Sequence, residues 1–588
     1  MSYASLGRVN IRQQLDSVYR KSVHDFNELV SKNRYILNKL IDCVKFCGVF
    51  EIALRGHDES DSSNNRGIFL GLIDFVSELD LMFKEHIEKS TVFKGTSKTI
   101  QNDILESMLA IVHTHIMKEI GQTNFVAIQV DETTDSSNKT QMIIILRYVL
   151  TGIVHERFWK FVNPLGTTAQ HLTNVILEEL QLLKINEAPE KLIAQSYDGA
   201  SVMSGKLGGV QTKIKEIYPN AHFIHCYAHQ FNLILQKAAS QHKPIKIFFA
   251  NLHGFSSFFG RSPKRTMVLD RVVKVRLPKA APTRWAFNTK CVEIVYTYKD
   301  DLKSCLEEII DEEQDGNNIN QATGLKRHLE DEHFLFWLNF FHKIMPHVDI
   351  LFKQLQMRDI DVISVKNCIL SFNNNIQIIR NTILESEVPS TSTAKKRKTT
   401  AEDPKRRTAL EICDIIISEI NHRFSFNDHL MISQLFYIEK FEAYTTNFPQ
   451  NILKMVTANY PTVNISKLKS ELEVLYCRED FRNSAGAVAI LQLFINMNLS
   501  ETFSEAVKLL NILCTLPMTT VESERCFSTL KRVKTFLRNT MGQPRLSALS
   551  MLSIEKTLVK SIPNFNEKVI DYFAELKDRR IDLKYKNI

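Results

Sequence analysis

The chain has 588 residues, 44% of them hydrophobic and 24% charged, with a formal net charge of +8. Its length exceeds what one hydrophobic core organises, and at roughly 100 to 200 residues per domain two to four domains are expected. No run of about 18 consecutive apolar residues is present, so no membrane partner is expected, and the modest positive charge permits nucleic acid as a partner without requiring it. The ten cysteines are scattered and the N-terminus lacks the apolar stretch of a secretory signal, which predicts an intracellular protein with reduced thiols.

Residues 1–120 read as a helical region. "ILNKLIDCVKFCGVF" and "ILESMLAIVHTHIMKEI" carry apolar residues at helical spacing, with the polar "RGHDESDSSNNRG" between them as a loop. The texture then changes. "FVAIQVDETTD", "QMIIILRYVL" and "IVHERFWKFV" are short apolar or alternating runs whose polar separators cannot hold a helix, so they predict an antiparallel meander. "AQHLTNVILEELQLL" is amphipathic at period 3.6, "KLIAQSYDG" is a strand, a helix follows at about 205–217, and "AHFIHCYA" and "HQFNLILQKAAS" read as strand and helix. The order β-β-β-α-β-α-β-α predicts an α/β fold, a ribonuclease H-like mixed sheet with helices for both faces.

Beyond 285 the strand signals fade, and 286–500 reads as a large all-helical insertion. The core is therefore expected in two parts, 121–285 and 501–588. Within the insertion, 386–408 is polar and rich in Pro, Ser and Thr, and is expected to be a disordered loop. Its basic clusters, Lys395 to Lys398 and Lys405 to Arg407, have the form of a bipartite nuclear import signal, which predicts a nuclear location.

Three carboxylates stand out. Asp131 and Asp198 each end a predicted strand of the same sheet. Adjacent strand ends would bring them together, and Mg²⁺ or Mn²⁺ ions sharing oxygen ligands are the usual way to keep such a pair ionised. The alternative is that each aspartate opens a turn. Asp135 rivals Asp131, although the strand end favours the latter. In "LPMTTVESERCFSTLKRVKTFL" a capping-box spacing joins Thr519 to Glu522, and Glu524 is expected on the buried stripe with Phe527, Leu530, Val533 and Leu537, where it needs a cation or a metal.

The ordered set "VDETTD", "SYDGASVM", "CYAHQFNLIL", "TRW" and "SERCFSTLKRVKTFLRNTMGQPRLSALSML" resembles transposases of the hAT superfamily, especially the subgroup related to MYM-type zinc-finger proteins. The resemblance implies a D, D, E catalytic centre with Asp131, Asp198 and Glu524 as ligands of Mg²⁺ or Mn²⁺, acting in DNA strand cleavage and transfer. It implies that Cys226 and His229 form a C-x-x-H element, read here as structural packing because half a tetrahedral zinc set stands alone. It also implies that Arg284 and Trp285 lie near DNA, with an exposed indole able to stack on a flipped base; a core tryptophan is the alternative.

Two features qualify the resemblance. The first 120 residues offer Cys43, Cys47 and a few histidines, which fit no four-ligand zinc finger, so the family's usual reader of transposon ends is not seen. The stretch 503–557 is apolar at helical spacing, and in the family this region carries dimerisation, so a homodimer or higher homo-oligomer is expected; ordinary core is the alternative. The competing expectation is a domesticated DNA-associated or protein-interaction factor that dimerises and catalyses nothing.

Overall fold

The computed structural model describes residues 11–587 apart from 61, 279–284, 358–359, 386–403, 425–427 and 485. Five strands form one sheet: β1 (Val126–Thr134), β2 (Thr140–Leu150), β3 (Ile153–Val162), β4 (Leu192–Tyr197) and β5 (His222–His225). Their order across the sheet is β3-β2-β1-β4-β5, antiparallel through the first three and parallel from β1 to β4 and β4 to β5. The meander has a local cause. Thr151 and Gly152, with φ of 49° and 74°, form the two-residue link between β2 and β3, and positive φ at both positions is the turn whose twist suits a hairpin.

Alternation along the strands sends side chains to two different cores. Val126, Ile128 and Val130 join one that includes helices Lys98–Gly121, Val521–Val533, Gln543–Ile554 and Phe565–Leu576. The N-terminal helix Ile11–Val49 shares this core, and its Gly48 lets Leu552 approach so closely that an added Cβ would lie 2.5 Å from the leucine Cδ1. Ala127, Ile193 and Ala194 face a second core, continuous with helix Tyr227–Ser240, helix Ser504–Thr515 and the helical body. Buried Arg147 on β2 ties that face together: it pairs with Glu156 at 2.8 Å and donates to the Cys514 carbonyl.

Between β5 and helix Ser504–Thr515 the described elements are all helical, as the sequence suggests, but the helical run begins at Lys243 rather than 286. The basic segment also divides. Lys395 to Lys398 lie outside the described residues, whereas Lys405 to Arg407 belong to helix Pro404–Phe424 and not to a disordered loop. Pro404 suits a helix start, where its missing N–H has no partner to lose, and Arg407 meets Glu411 one turn later at 3.2 Å.

A candidate active site at the carboxyl ends of two parallel strands

The sheet register explains how two aspartates distant in sequence meet. The parallel β1–β4 ladder ends where Gln129 pairs with Ser196, and Asp131 and Asp198 each follow two residues beyond that last pair. Both line a cavity of about 400 Å³, and Glu524 lines it from the first turn of helix Val521–Val533. Cys226, His229 and Trp285 contribute to the same walls.

Two bolts hold the glutamate helix against the sheet. At its start, the Thr520 amide donates to Cys226 Sγ at 3.3 Å, and the Tyr227 amide donates to the Met518 carbonyl at 3.0 Å. At its end, Lys534 Nζ reaches Asp135 at 2.6 Å, and Ser136 Oγ donates to the Lys534 carbonyl. Cys226 is thus a positioning residue for the helix that carries Glu524, in keeping with structural packing. Asp135 is occupied: it also accepts from Ser137, Lys139 and Gln141. Burial alone would raise its pKa, but Lys534 and the Ser137 and Lys139 donors hold it well below the usual carboxylate range.

Asp131 behaves in the opposite way. Burial, with the charges of Asp198 and Glu524 added, pushes it up to about 7 against one hydrogen bond from the Glu132 amide. Glu132, next along β1, is raised by burial and by Asp198. Asp198 also opens a turn, accepting from the Ala200 amide at 3.2 Å, so its two sequence readings are compatible. Gly199 permits a close approach here, since an added Cβ would stand 2.9 Å from His225 Nε2 and 3.0 Å from His229 Nε2.

The structure corrects three expectations. Glu524 is exposed at the cavity, while Glu522 is the buried glutamate, paired with Arg525 at 2.9 Å. Each step of three along a helix falls about 60° short of a full turn. The series Glu524, Phe527, Leu530, Val533 therefore travels halfway round, whereas Glu522, Cys526, Thr529 and Val533 stay on one side. The predicted capping box does not form: Thr520 is the N-cap residue, and no side chain caps the helix. Trp285 is buried, edge-on to Phe249, with its indole N–H lacking a partner; it forms wall and is not an exposed stacking platform. Arg284 lies outside the described residues.

Sequence reading missed His225. Its ring stacks on His229 with centroids 5.6 Å apart, its Nε2 is buried without a partner, and burial, then His229 and Arg423, push it down to about 4. The signal present was the spacing of His225, Cys226 and His229 at a strand-to-helix junction. Among the described residues no three His, Cys, Asp or Glu side chains converge into a ready-made metal cage. Asp131, the most buried of the three carboxylates, is driven towards protonation first by burial and then by the charges of Asp198 and Glu524.

This layout, strand-end aspartates on a mixed sheet near a helix-borne glutamate, is compatible with an RNase-like domain. Residues 4–209 match the family described as ZMYM1/FAM200, RNase-like domain. Residues 471–558 match the hAT family C-terminal dimerisation region, which therefore begins within the helical body. In these two segments the chain is similar to hAT transposase-derived proteins. It is 22% identical over 606 residues to the "52 kDa repressor of the inhibitor of the protein kinase" of Homo sapiens, covering 95% of this chain and 78% of that protein. The protein of the same name from Mus musculus is 23% identical over 605 residues, covering 94% and 78%.

Within 503–557 the apolar residues are mostly spent on the chain's own cores; of the large hydrophobics there, Phe536 and Leu537 are exposed, at 79% and 91%. No described helix is long and apolar enough to cross a membrane.

Proposed function

We propose that this chain is a nuclear, DNA-associated protein of transposase descent, with a ribonuclease H-like core interrupted by a helical insertion, and that its carboxylate cavity is a centre for metal-dependent DNA strand cleavage. The observation that carries the reading is that Asp131, Asp198 and Glu524 line one cavity, with the charges of Asp198 and Glu524 felt at Asp131. Asp131, Asp198 and Glu524 would hold Mg²⁺ or Mn²⁺. When bound, such ions supply activation of the attacking oxygen and charge stabilisation of the leaving oxygen at phosphorus.

The chain's own residues do the rest. Asp131, raised by burial and by the charges of Asp198 and Glu524, would give up its proton as positive charge enters and stabilises its ionised form. Cys226 and the Asp135–Lys534 pair hold the Glu524 helix in place from its two ends. Buried Trp285 closes one wall against water. Homodimerisation through the C-terminal region, with Phe536 and Leu537 as its exposed apolar contacts, belongs to the same proposal, as does import through the basic clusters.

A second reading is a regulator that keeps the fold and has lost the reaction. It is favoured by the printed name of the two relatives, which describes a repressor. A cleavage assay separates the two. Wild type and Asp198→Asn are incubated with Mn²⁺ and DNA bearing candidate terminal repeats. The first reading expects nicking by wild type, reduced at least about a hundredfold in the variant with DNA binding retained; wild type without nicking at any metal concentration establishes the second.

A further inference from the structure

A second and larger cavity, of about 780 Å³, lies beyond the other end of the glutamate helix. The 13-residue helix Val521–Val533 spans about 20 Å, with the carboxylate cavity at its start and this one past its end. The lining comes from the loop after helix Ile11–Val49, from helix Lys98–Gly121 and from residues 537–549. Its chemistry is two-sided. Leu54, Leu105, Leu109 and Leu549 provide apolar wall, and Arg55, Arg538 and Arg545 provide charge.

Other arginines of this protein meet carboxylates: Arg34 has Glu567, Arg157 has Glu119 and Glu555, and Arg579 has Asp103. The three at this cavity do not. Arg55 donates to the Lys98 carbonyl at 3.0 Å, to Asn102 Oδ1 at 3.0 Å and to Gln101 at 3.3 Å. Arg545 donates to the same Asn102 oxygen at 3.2 Å. Arg538 donates to the backbone carbonyls of Glu51 and Arg532 and to Thr535. All their hydrogen-bond partners are neutral; Glu51, which acts on Arg538 from further off, is paired with Arg532. Sharing one Asn102 oxygen brings the guanidiniums of Arg55 and Arg545 together, and burial, with Arg55 beside it, pushes Arg545 down to about 10. Glu106 is the one carboxylate among the lining residues; Glu59, which acts on Arg55 and Arg545 from further off, is paired with Lys98 at 3.2 Å.

Convergent guanidiniums satisfied only by neutral oxygens are costly without an anion. Planar guanidinium forks match phosphate oxygens in particular. Helix Gln543–Ile554 adds to this field, since it begins at the cavity with Gly542 as N-cap and no side-chain cap, leaving amide donors unfilled. The volume lies within the range of small-ligand sites. We infer that this cavity binds a nucleotide, with Arg55, Arg538 and Arg545 on its phosphate and the leucine wall against its base. The phosphate belongs either to a free nucleotide or to the 5′ end of a DNA strand. The site is separate from the carboxylate cavity and does not depend on its chemistry.

The test uses the full chain and three probes read by calorimetry or fluorescence anisotropy: dAMP, a short single-stranded oligonucleotide with a 5′-phosphate, and its 5′-hydroxyl twin. The phosphorylated oligonucleotide should bind at least about tenfold more tightly than the twin, and the double variant Arg55→Gln/Arg545→Gln should remove that advantage. Because Arg545 is part of a packed wall, Glu106→Gln provides a second measurement at an exposed position: deleting the cavity's carboxylate should tighten phosphate binding severalfold without altering the melting temperature. Equal affinity for dAMP and the phosphorylated strand assigns the site to free nucleotide; binding of the strand alone assigns it to a strand end. Affinity indifferent to the phosphate, or to Glu106→Gln in a folded protein, overturns the inference. Asp198→Asn should leave the advantage of the 5′-phosphate over the 5′-hydroxyl twin unchanged, so that difference is independent of any cleavage at the other cavity.

Discussion

Asp131 and Asp135 lie four residues apart on the same hairpin arm, and their surroundings treat them in opposite ways. Asp135 sits in the β1–β2 turn with a lysine ion pair and four hydrogen bonds from its own loop and β2. Asp131 sits at the mouth of a cavity with two further carboxylates and one amide donor. One carboxylate is held low and the other pushed up to about 7. The contrast separates a charge that stabilises the fold from one the fold tolerates for another purpose. A sequence window around either residue shows only an aspartate after an apolar strand.

The strongest way to break the comparison is Lys534→Met, which leaves the Asp135 charge buried without its cation. It should destabilise the protein by about 3 to 5 kcal/mol in urea unfolding, and Asp135→Asn in the same chain should recover most of that. A loss below about 1 kcal/mol would show that the loop donors alone suffice. The pair also sets the acid limb: its carboxyl pKa is lowered on folding, so its stabilisation is present above the unfolded value near 3.9 and is lost as pH falls below it.

Asp131→Asn should act with the opposite sign. Here the folded pKa, about 7, is above the unfolded value, so the native state keeps a proton that the unfolded chain releases. Wild-type stability attributable to this group therefore falls as pH rises from about 4 to about 7. The variant escapes that loss and should be more stable at pH 8 by on the order of 3 kcal/mol, converging with wild type near pH 4. Melting curves across that range with a chelator present decide it; parallel curves would remove the charge-frustrated reading of the cavity.

Mn²⁺ sharpens the same point. At tenfold its dissociation constant it should stabilise wild type by about 1.4 kcal/mol, with a smaller shift for Asp198→Asn and none through the Asp135 pair, which has no oxygen to spare. Equal shifts in both proteins would place the ion elsewhere. The smallest effect on folding is expected from Leu537→Glu, a change at an exposed position worth under about 0.5 kcal/mol. It should nevertheless dissociate a C-terminal dimer in light scattering, and a dimer that persists would move the interface away from Phe536 and Leu537.

The sequence by itself determined the meander, the two parallel strands and the aspartates that end them, because a period of two and a period of 3.6 are written locally in the placement of apolar residues. The hAT resemblance and the long helical interval before the glutamate were likewise readable in the order of motifs. Tertiary structure decided what packing partners decide. Glu522 and Glu524 both start one helix, and which of them is buried follows from which side of it packs against the rest of the fold. Trp285 is wall because Phe249 covers it. The apolar stretch 503–557 became core because the sheet and the N-terminal helices needed covering, leaving two side chains outside. The arginine cavity had no sequence signature, since Arg55 and Arg545 meet over Asn102 only after the first helices fold onto the last, and burial depends on the neighbours that folding brings, not on the residue alone.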